Sequence, residues 1–319
     1  MIQPPPPKRE HANVTISPAL QLFWFVLLFV GIFLAGNIIG LLISMGVYGQ
    51  GVMTAIASQE FKSANVVNSL WIIQIAGTSL PILIAPIIFG WKIIKRPAEY
   101  LLTNTRFPLM LMLVVLCLMF ISSPLIEWLS NINEKMVLPN FLSGVQKWMR
   151  DAEDQTRAAE EVMFNMPTTL SMIKNVLFVG LFTAIAEEFM FRGVIQTILL
   201  QWTKNKHVTV WITATLFSAF HMQFFGFLPR LFLGVIFGYF VVWSGSIWPA
   251  VWAHFINNST AIVATWLFQH KKIGVNPDDE HVFNNALYIS SLVVVLFLMF
   301  LYRYLGRKQP QILNGEELG

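Results

Sequence analysis

Six polar residues stand inside otherwise apolar runs, and their types and spacing could do chemistry. Glu187, Glu188 and Arg192 lie in AIAEEFMFRG, within an apolar run from about Met172 to Leu200. His221 ends FSAFH, and His254 and Asn258 begin and end HFINN. A charge at the centre of a bilayer costs about 2.5–3.5 kcal/mol on insertion scales, so this cluster needs partners, water or a task. Glu188 and Arg192 are i,i+4 on one helical face and can neutralise each other. That leaves Glu187 unpaired on a neighbouring part of the helix, and it is the residue to explain. His254 and Asn258 also share one face at i,i+4. Taken singly, a histidine or asparagine in a membrane span is often interhelical glue. Taken together, a carboxylate, two imidazoles and a carboxamide supply a base, a second base or ligand, and hydrogen-bond donors.

The elements that must position these groups are membrane helices. The chain has 319 residues, 55% of them hydrophobic and only 12% charged, with a mean hydropathy of +0.62. Soluble domains carry about 25% charged residues, so the composition is that of a membrane protein. The net charge of +4 is spread over loops and ends. It reads as topology information and not as a nucleic-acid footprint. A single cysteine, Cys117, rules out a disulfide within the chain and a C-x-x-C metal site.

The expected fold is all-α, a polytopic integral membrane helical bundle of about eight transmembrane helices. Runs long enough to span fall at about 20–46, 67–91, 108–129, 171–200, 208–225, 229–244, 247–268 and 285–304. The first is too long for a cleavable signal peptide and lacks a small-residue cleavage site, so it is a retained span. The fourth exceeds an untilted span and is expected to tilt, or to break near Gly180 or Gly193. Pro81 and Pro86 are expected to kink the second. Gly234 and Gly238 form G-x-x-x-G, a sign of close helix contact. The chain divides into a cytoplasmic tail over 1–18 containing PPPPKRE, one membrane domain over 19–308 with its chemical core at about 170–268, and a second cytoplasmic tail over 309–319. No internal repeat is visible, so an inverted-repeat transporter has no support.

With both termini inside, the cytoplasmic side collects Lys8, Arg9, Lys92, Lys95, Arg96, Arg106, Lys204, Lys206, Arg303, Arg307 and Lys308. The opposite side receives KKIGVNPDDEH and the segment 130–169, whose WMRDAEDQTRAAEE stretch leans acidic. This is the positive-inside orientation. The 130–169 segment reads either as a solvated loop or as an amphipathic helix in the interface. At 1.5 Å per residue, Glu187 lies about 20 Å from the end of its helix and His221 about 21 Å beyond His207. His254 and Asn258 lie about 12 and 18 Å beyond Ser246. All four therefore fall in one middle slab of a core about 30 Å thick. His207, His270 and His281 fall at span ends or in loops and need no special account.

The order E187-E188-F-M-F-R192, F217-S-A-F-H221 and H254-F-I-N-N258 resembles a three-motif signature, E-E-x-x-x-R, F-x-x-x-H and H-x-x-x-N. The signature is that of the CPBP intramembrane proteases, the CAAX-processing and bacteriocin-processing family also called Abi. It covers Ala184 to Asn258, with no departure at the signature positions. The resemblance implies an intramembrane endopeptidase in which Glu187 and His221 activate water. It further implies that His254 and Asn258 stabilise the oxyanion while Glu188 and Arg192 hold the site together. The partners it implies are a peptide or protein substrate at the membrane and the lipid bilayer, with no nucleic acid. The expected location is the plasma (inner) membrane, as a multi-pass protein.

The chemistry of the residues agrees, since an imidazole within hydrogen-bond reach can hold a buried carboxylate ionised as a base. A zinc site built from Glu187, His221 and His254 uses the same atoms. No H-E-x-x-H helix is present and asparagine is a poor zinc ligand, so a metal-free mechanism is favoured and zinc stays the alternative. Two other classes compete. A proton- or ion-coupled transporter would use the same buried acid and histidines to carry its ion. A non-enzymatic membrane scaffold of protease-like fold would have no need to keep all three motifs.

Overall fold

The computed structural model describes residues 16–105, 107–277 and 282–306, with the backbone of 312–313 and 316–317. Most of the N-terminal tail, Arg106, His281, Arg307 and Lys308 lie outside the described residues. Inside a bilayer every backbone polar group must be satisfied within its own segment, so an apolar chain of this composition forms helices.

Ten helices carry the architecture. They are α1 (Pro18–Tyr48), α2 (Ala64–Ile93), α3 (Met110–Ile121), α4 (Ser123–Glu134), α5 (Ser143–Met163), α6 (Thr169–Thr203), α7 (Lys206–Phe220), α8 (Phe227–Ser244), α9 (Trp248–Gln269) and α10 (Asn285–Gly306). Short helices at Gly51–Ala57 and Pro97–Tyr100 and two turns of 3-10 helix complete the helical set. A two-residue antiparallel ladder pairs Ile312–Leu313 with Glu316–Glu317. The protein is thus an all-helical, polytopic membrane protein.

Among the described residues, α1, α2, α6, α10 and the helix ending in α8 are each long and apolar enough to cross a membrane. The pair α3 and α4, bent by 45°, makes a sixth span if counted as one. Helices stand at all eight expected places, but three differ from expectation: α7 and α9, which are not among these spans, and the bent third. The run 208–225 is helical only to Phe220, and at 15 residues α7 is about 22 Å long, short of a full span. The apolar run continues through Met222, Phe224 and Phe225, so hydropathy alone did not mark the turn. In α9 the polar group His254, Asn257, Asn258, Ser259 and Thr260 lowers the hydropathy. The third span breaks at Ser122, because Pro124 opens α4 and cannot donate into a continuing ladder.

Two of the long helices contain π turns. In α2 these cover Ile75–Ser79, just before Pro81, and Phe89–Ile93. In α6 they cover Val176–Phe182 and Phe189–Ile195. The two α6 segments contain Gly180 and Gly193, the expected break points, and the helix runs on through both. Each of those glycines also marks a close approach. A Cβ on Gly180 would lie 2.6 Å from Ser259 Oγ, and one on Gly193 would lie 3.0 Å from Leu101 Cδ2.

The centre of α6 is buried on every side, through Ala184, Ala186, Met190, Phe191, Val194 and Ile198. A helix that is hydrophobic all round belongs in the middle of a bundle. Helices α7, α8 and α9 pack around it, with Val210, Phe217, Phe237, Phe240 and Ala253 in one continuous core. By contrast α1 and α10 turn most of their apolar surface outward, toward lipid. The G-x-x-x-G pair does mark a close contact, since a Cβ on Gly234 would stand 3.0 Å from Ala214 Cβ and 3.1 Å from its Cα.

The 130–169 segment is mainly helical. Its α5 buries Met149 and Glu153 and packs over the turn between α7 and α8.

Candidate active site

The last α-helical turn between the two π segments of α6 carries Glu187 and Glu188. π turns inside α-helices are frequent at functional sites. Adjacent residues on an ideal α-helix point about 100° apart, yet both carboxylates are buried, because α6 is enclosed on both sides.

Glu188 Oε1 accepts from two donors. Arg192 Nη1 reaches it at 2.8 Å and His254 Nδ1 at 2.9 Å. Arg192, fully buried, donates through Nη2 to the Gly234 carbonyl at 3.1 Å. Its guanidinium stands 4.5 Å from the ring centroid of Phe217 and 5.4 Å from that of Phe237. The same rings frame the histidines. Phe217 meets His221 and His254 edge to face, and Phe237 stacks on His254. One turn further along, Gln196 donates to the Gly238 carbonyl at 3.2 Å, so α6 fastens onto α8 at two successive glycine carbonyls.

Glu187 Oε2 faces both imidazoles, 3.8 Å from His221 Nε2 and 3.8 Å from His254 Nε2. The ring tautomers follow from their other partners. His221 Nδ1 lies 2.9 Å from the Phe217 carbonyl, which can only accept, so Nδ1 donates. His254 Nδ1 donates to the Glu188 carboxylate in the same way. Rings held so turn both Nε2 atoms toward Glu187. Glu187 Oε2, Glu188 Oε2 and Arg192 Nε have no hydrogen-bond partner among the described residues. Buried orphan atoms are uncommon in native structures and mark places that need an explanation.

The structure thus brings Glu187, Glu188, Arg192, His221 and His254 together from three segments of chain. Two placements differ from the sequence reading. His221 is not mid-helix, because α7 ends at Phe220 and His221 opens the turn that follows. Asn258 donates to the Val179 carbonyl at 3.2 Å, about two turns of α6 before Glu187, and its Oδ1 takes Asn257 Nδ2 at 3.2 Å. Phe237 and the Gly234 carbonyl were not singled out from the sequence, and Phe217 entered only as the first position of F-x-x-x-H, with no role assigned. Phe217 had a visible signal, lying i,i+4 with His221, but an aromatic in a membrane helix is ordinary filler.

The three ligand atoms of the alternative zinc site are those at 3.8 Å. In a tetrahedral site with bonds of about 2.0–2.1 Å, ligand atoms stand about 3.3 Å apart. Among the described residues no group of three His, Cys, Asp or Glu is set at metal-binding spacing. At 3.8 Å from Glu187 Oε2, both imidazole nitrogens stand wider than zinc requires.

A buried carboxylate flanked by two imidazoles in a polytopic helical bundle defines a membrane-embedded acid–histidine site. Residues 169–260 match the family described as type II CAAX prenyl endopeptidase Rce1-like, so the resemblance read from the three motifs holds for the stretch that carries them. An uncharacterized protein of Bacillus subtilis, YpbD, is 30% identical over 115 residues, which are 34% of this chain and 54% of that one. The chain spans about half the length of this curated relative. No solved structure matches.

Proposed function

We propose that this protein is an intramembrane endopeptidase that hydrolyses a peptide bond of a membrane-associated peptide or protein. The observation that carries the reading is Glu187 Oε2 at 3.8 Å from two imidazole nitrogens, inside the bundle. A distance of 3.8 Å is too long for a direct hydrogen bond and suits one bridging water. A water about 2.8 Å from Glu187 and from one Nε2 would see them at about 85°, close to the angle between its own two hydrogens. Both acceptors can then draw on the same water, and Glu187 takes its proton as the oxygen attacks the scissile carbonyl. The same carboxyl returns the proton to the leaving amine.

In this reading His221 is the partner of Glu187, and the donors for the oxyanion are Asn258 and a His254 ring that also carries a proton on Nε2. The Glu188 carboxylate and Arg192 fix the ring of His254 and lock α6 against α8. The family match supports the peptidase class, and its segment includes all six of these residues. We place the protein in the plasma membrane with both termini cytoplasmic, on the charge distribution of its loops.

The test compares membrane proteomes of cells producing the wild-type chain and Glu187→Gln. An uncleaved precursor should accumulate with the variant, and purified wild-type protein should cleave that precursor. A Glu187→Gln protein that still cleaves it overturns the mechanism, and ion flux through vesicles without peptide cleavage overturns the class.

A further inference from the structure

His221 opens a turn that is held in part from outside its own two helices. The residue after it, Met222, has φ +54, the left-handed region that a non-glycine side chain adopts at a cost. Within the turn, backbone bonds run from Met222 N–H to Ala219, from Gly226 N–H to Gln223 and, at the cap of its 3-10 helix, from Phe227 N–H to the Phe224 carbonyl. Several other polar groups of the turn are taken by side chains from a segment more than sixty residues earlier. Asn133, at the end of α4 and buried, donates to the Phe224 carbonyl at 3.0 Å and accepts from Leu228 N–H at 2.6 Å. Glu153 of α5, also buried, accepts from Phe225 N–H at 3.0 Å. Glu160, two turns further along α5, accepts from Gln223 Nε2 at 3.0 Å, and Arg230 of α8 donates to both the carbonyl and the side-chain oxygen of Gln223.

Ring contacts reinforce the polar ones. Trp148 lies against Phe224 with centroids 5.3 Å apart, and the Arg150 guanidinium stands 3.3 Å from the ring centroid of Phe225. Arg150 is in turn tied to the Glu134 carbonyl at 2.8 Å, which joins α5 to the end of α4. A short link between antiparallel helices ordinarily satisfies itself with turn residues. Here it is also gripped from outside by Asn133, Trp148, Arg150, Glu153 and Glu160, which precede the matched stretch 169–260.

We propose that Asn133, Glu153 and Glu160 are positioning residues for His221. The end of α4 together with α5 forms a strap that completes the site from outside the family-like core. The strap acts on the turn and not on the reacting atoms. The inference rests on the reading of His221 as a participant in the reaction.

The test uses the full chain in lipid nanodiscs as wild type, Asn133→Ala, Glu153→Ala, Glu153→Gln and Glu160→Ala. Diethyl pyrocarbonate modification of each histidine is followed by mass spectrometry, with His207 and His270 as internal references. The Ala variants should modify His221 several-fold faster with the reference rates unchanged. Glu153→Gln, whose amide oxygen still accepts from Phe225 N–H, should restore the wild-type rate. On the precursor identified with Glu187→Gln, kcat should fall by up to about 10²-fold with KM unchanged, the scale of a 1 Å misplacement.

Ala variants that lower thermal stability but leave the His221 rate and kcat at wild-type values overturn the proposal. So does Glu153→Gln behaving like Glu153→Ala. If Glu153→Ala does not fold, Glu160→Ala, which removes a bond to one side chain only, carries the same comparison. A wild-type protein that cleaves nothing overturns the peptidase reading by itself, while the His221 modification rates still decide whether the strap holds the turn.

Discussion

Removing the charge of Glu188 is the most searching perturbation of the site's scaffold. In Glu188→Gln the amide oxygen can still accept from Arg192 and from His254, so shape is kept and only the charge is lost. Arg192 then remains fully buried with the Gly234 carbonyl at 3.1 Å and two aromatic faces as its compensation. Breaking a buried pair from one side costs about 3–5 kcal/mol, because the other charge is left uncompensated. Cation–π contacts retain about 0.5–2 kcal/mol of that stabilisation, which places Glu188→Gln near the low end of the range. Arg192→Met leaves Glu188 with His254 as its partner and should cost a similar amount.

The double variant removes both charges together, and apolar replacement of a buried pair is often close to neutral. The two single losses, about 3 kcal/mol each, should therefore together exceed the double loss by about 3–6 kcal/mol. The assay is reversible unfolding in mixed detergent micelles, followed by tryptophan fluorescence, over the four proteins of the cycle. Additive losses would refute the reasoning, since they would mean that the two side chains stabilise the bundle independently.

The remaining expectations are more direct. His254→Ala and Asn258→Ala, read out as kcat on the precursor, should each lose about 10²–10³ in rate if they are oxyanion donors; an Asn258→Ala enzyme at full rate would confine that residue to its bond with Val179. A chelator should leave the purified enzyme active, and reversible inhibition restored by zinc would transfer the same residues to metal chemistry. Gly234→Ala should destabilise the bundle by about 1–3 kcal/mol through overpacking against Ala214, measured in the same unfolding assay. Reporter fusions after Lys206 should read cytoplasmic and one within 150–160 external; a cytoplasmic signal from the latter would reverse the orientation.

Several features were legible without any structure. A composition of 55% hydrophobic residues forces helices, because lipid offers no partner to an open backbone. The cost of charge in a bilayer singles out Glu187, Glu188 and Arg192, and i,i+4 spacing pairs the last two, which lie 2.8 Å apart. Spacing along each helix also put Glu187, His221, His254 and Asn258 in one middle slab, and the structure brings the first three together while Asn258 bonds to Val179. What spacing cannot supply is rotation and partnership between helices. Only packing around α6 made Glu188 the shared acceptor of Arg192 and His254, and left Glu187 facing the two Nε2 atoms.

The end of α7 escaped the sequence for a different reason. Hydropathy does not register chain direction, and the turn after Phe220, with Met222, Phe224 and Phe225, carries apolar side chains as the helix before it does. The grip of Asn133, Glu153 and Glu160 on that turn is a contact between segments more than sixty residues apart. Nothing local in an acidic amphipathic stretch reveals what its inner face will meet, and only the tertiary fold decides it.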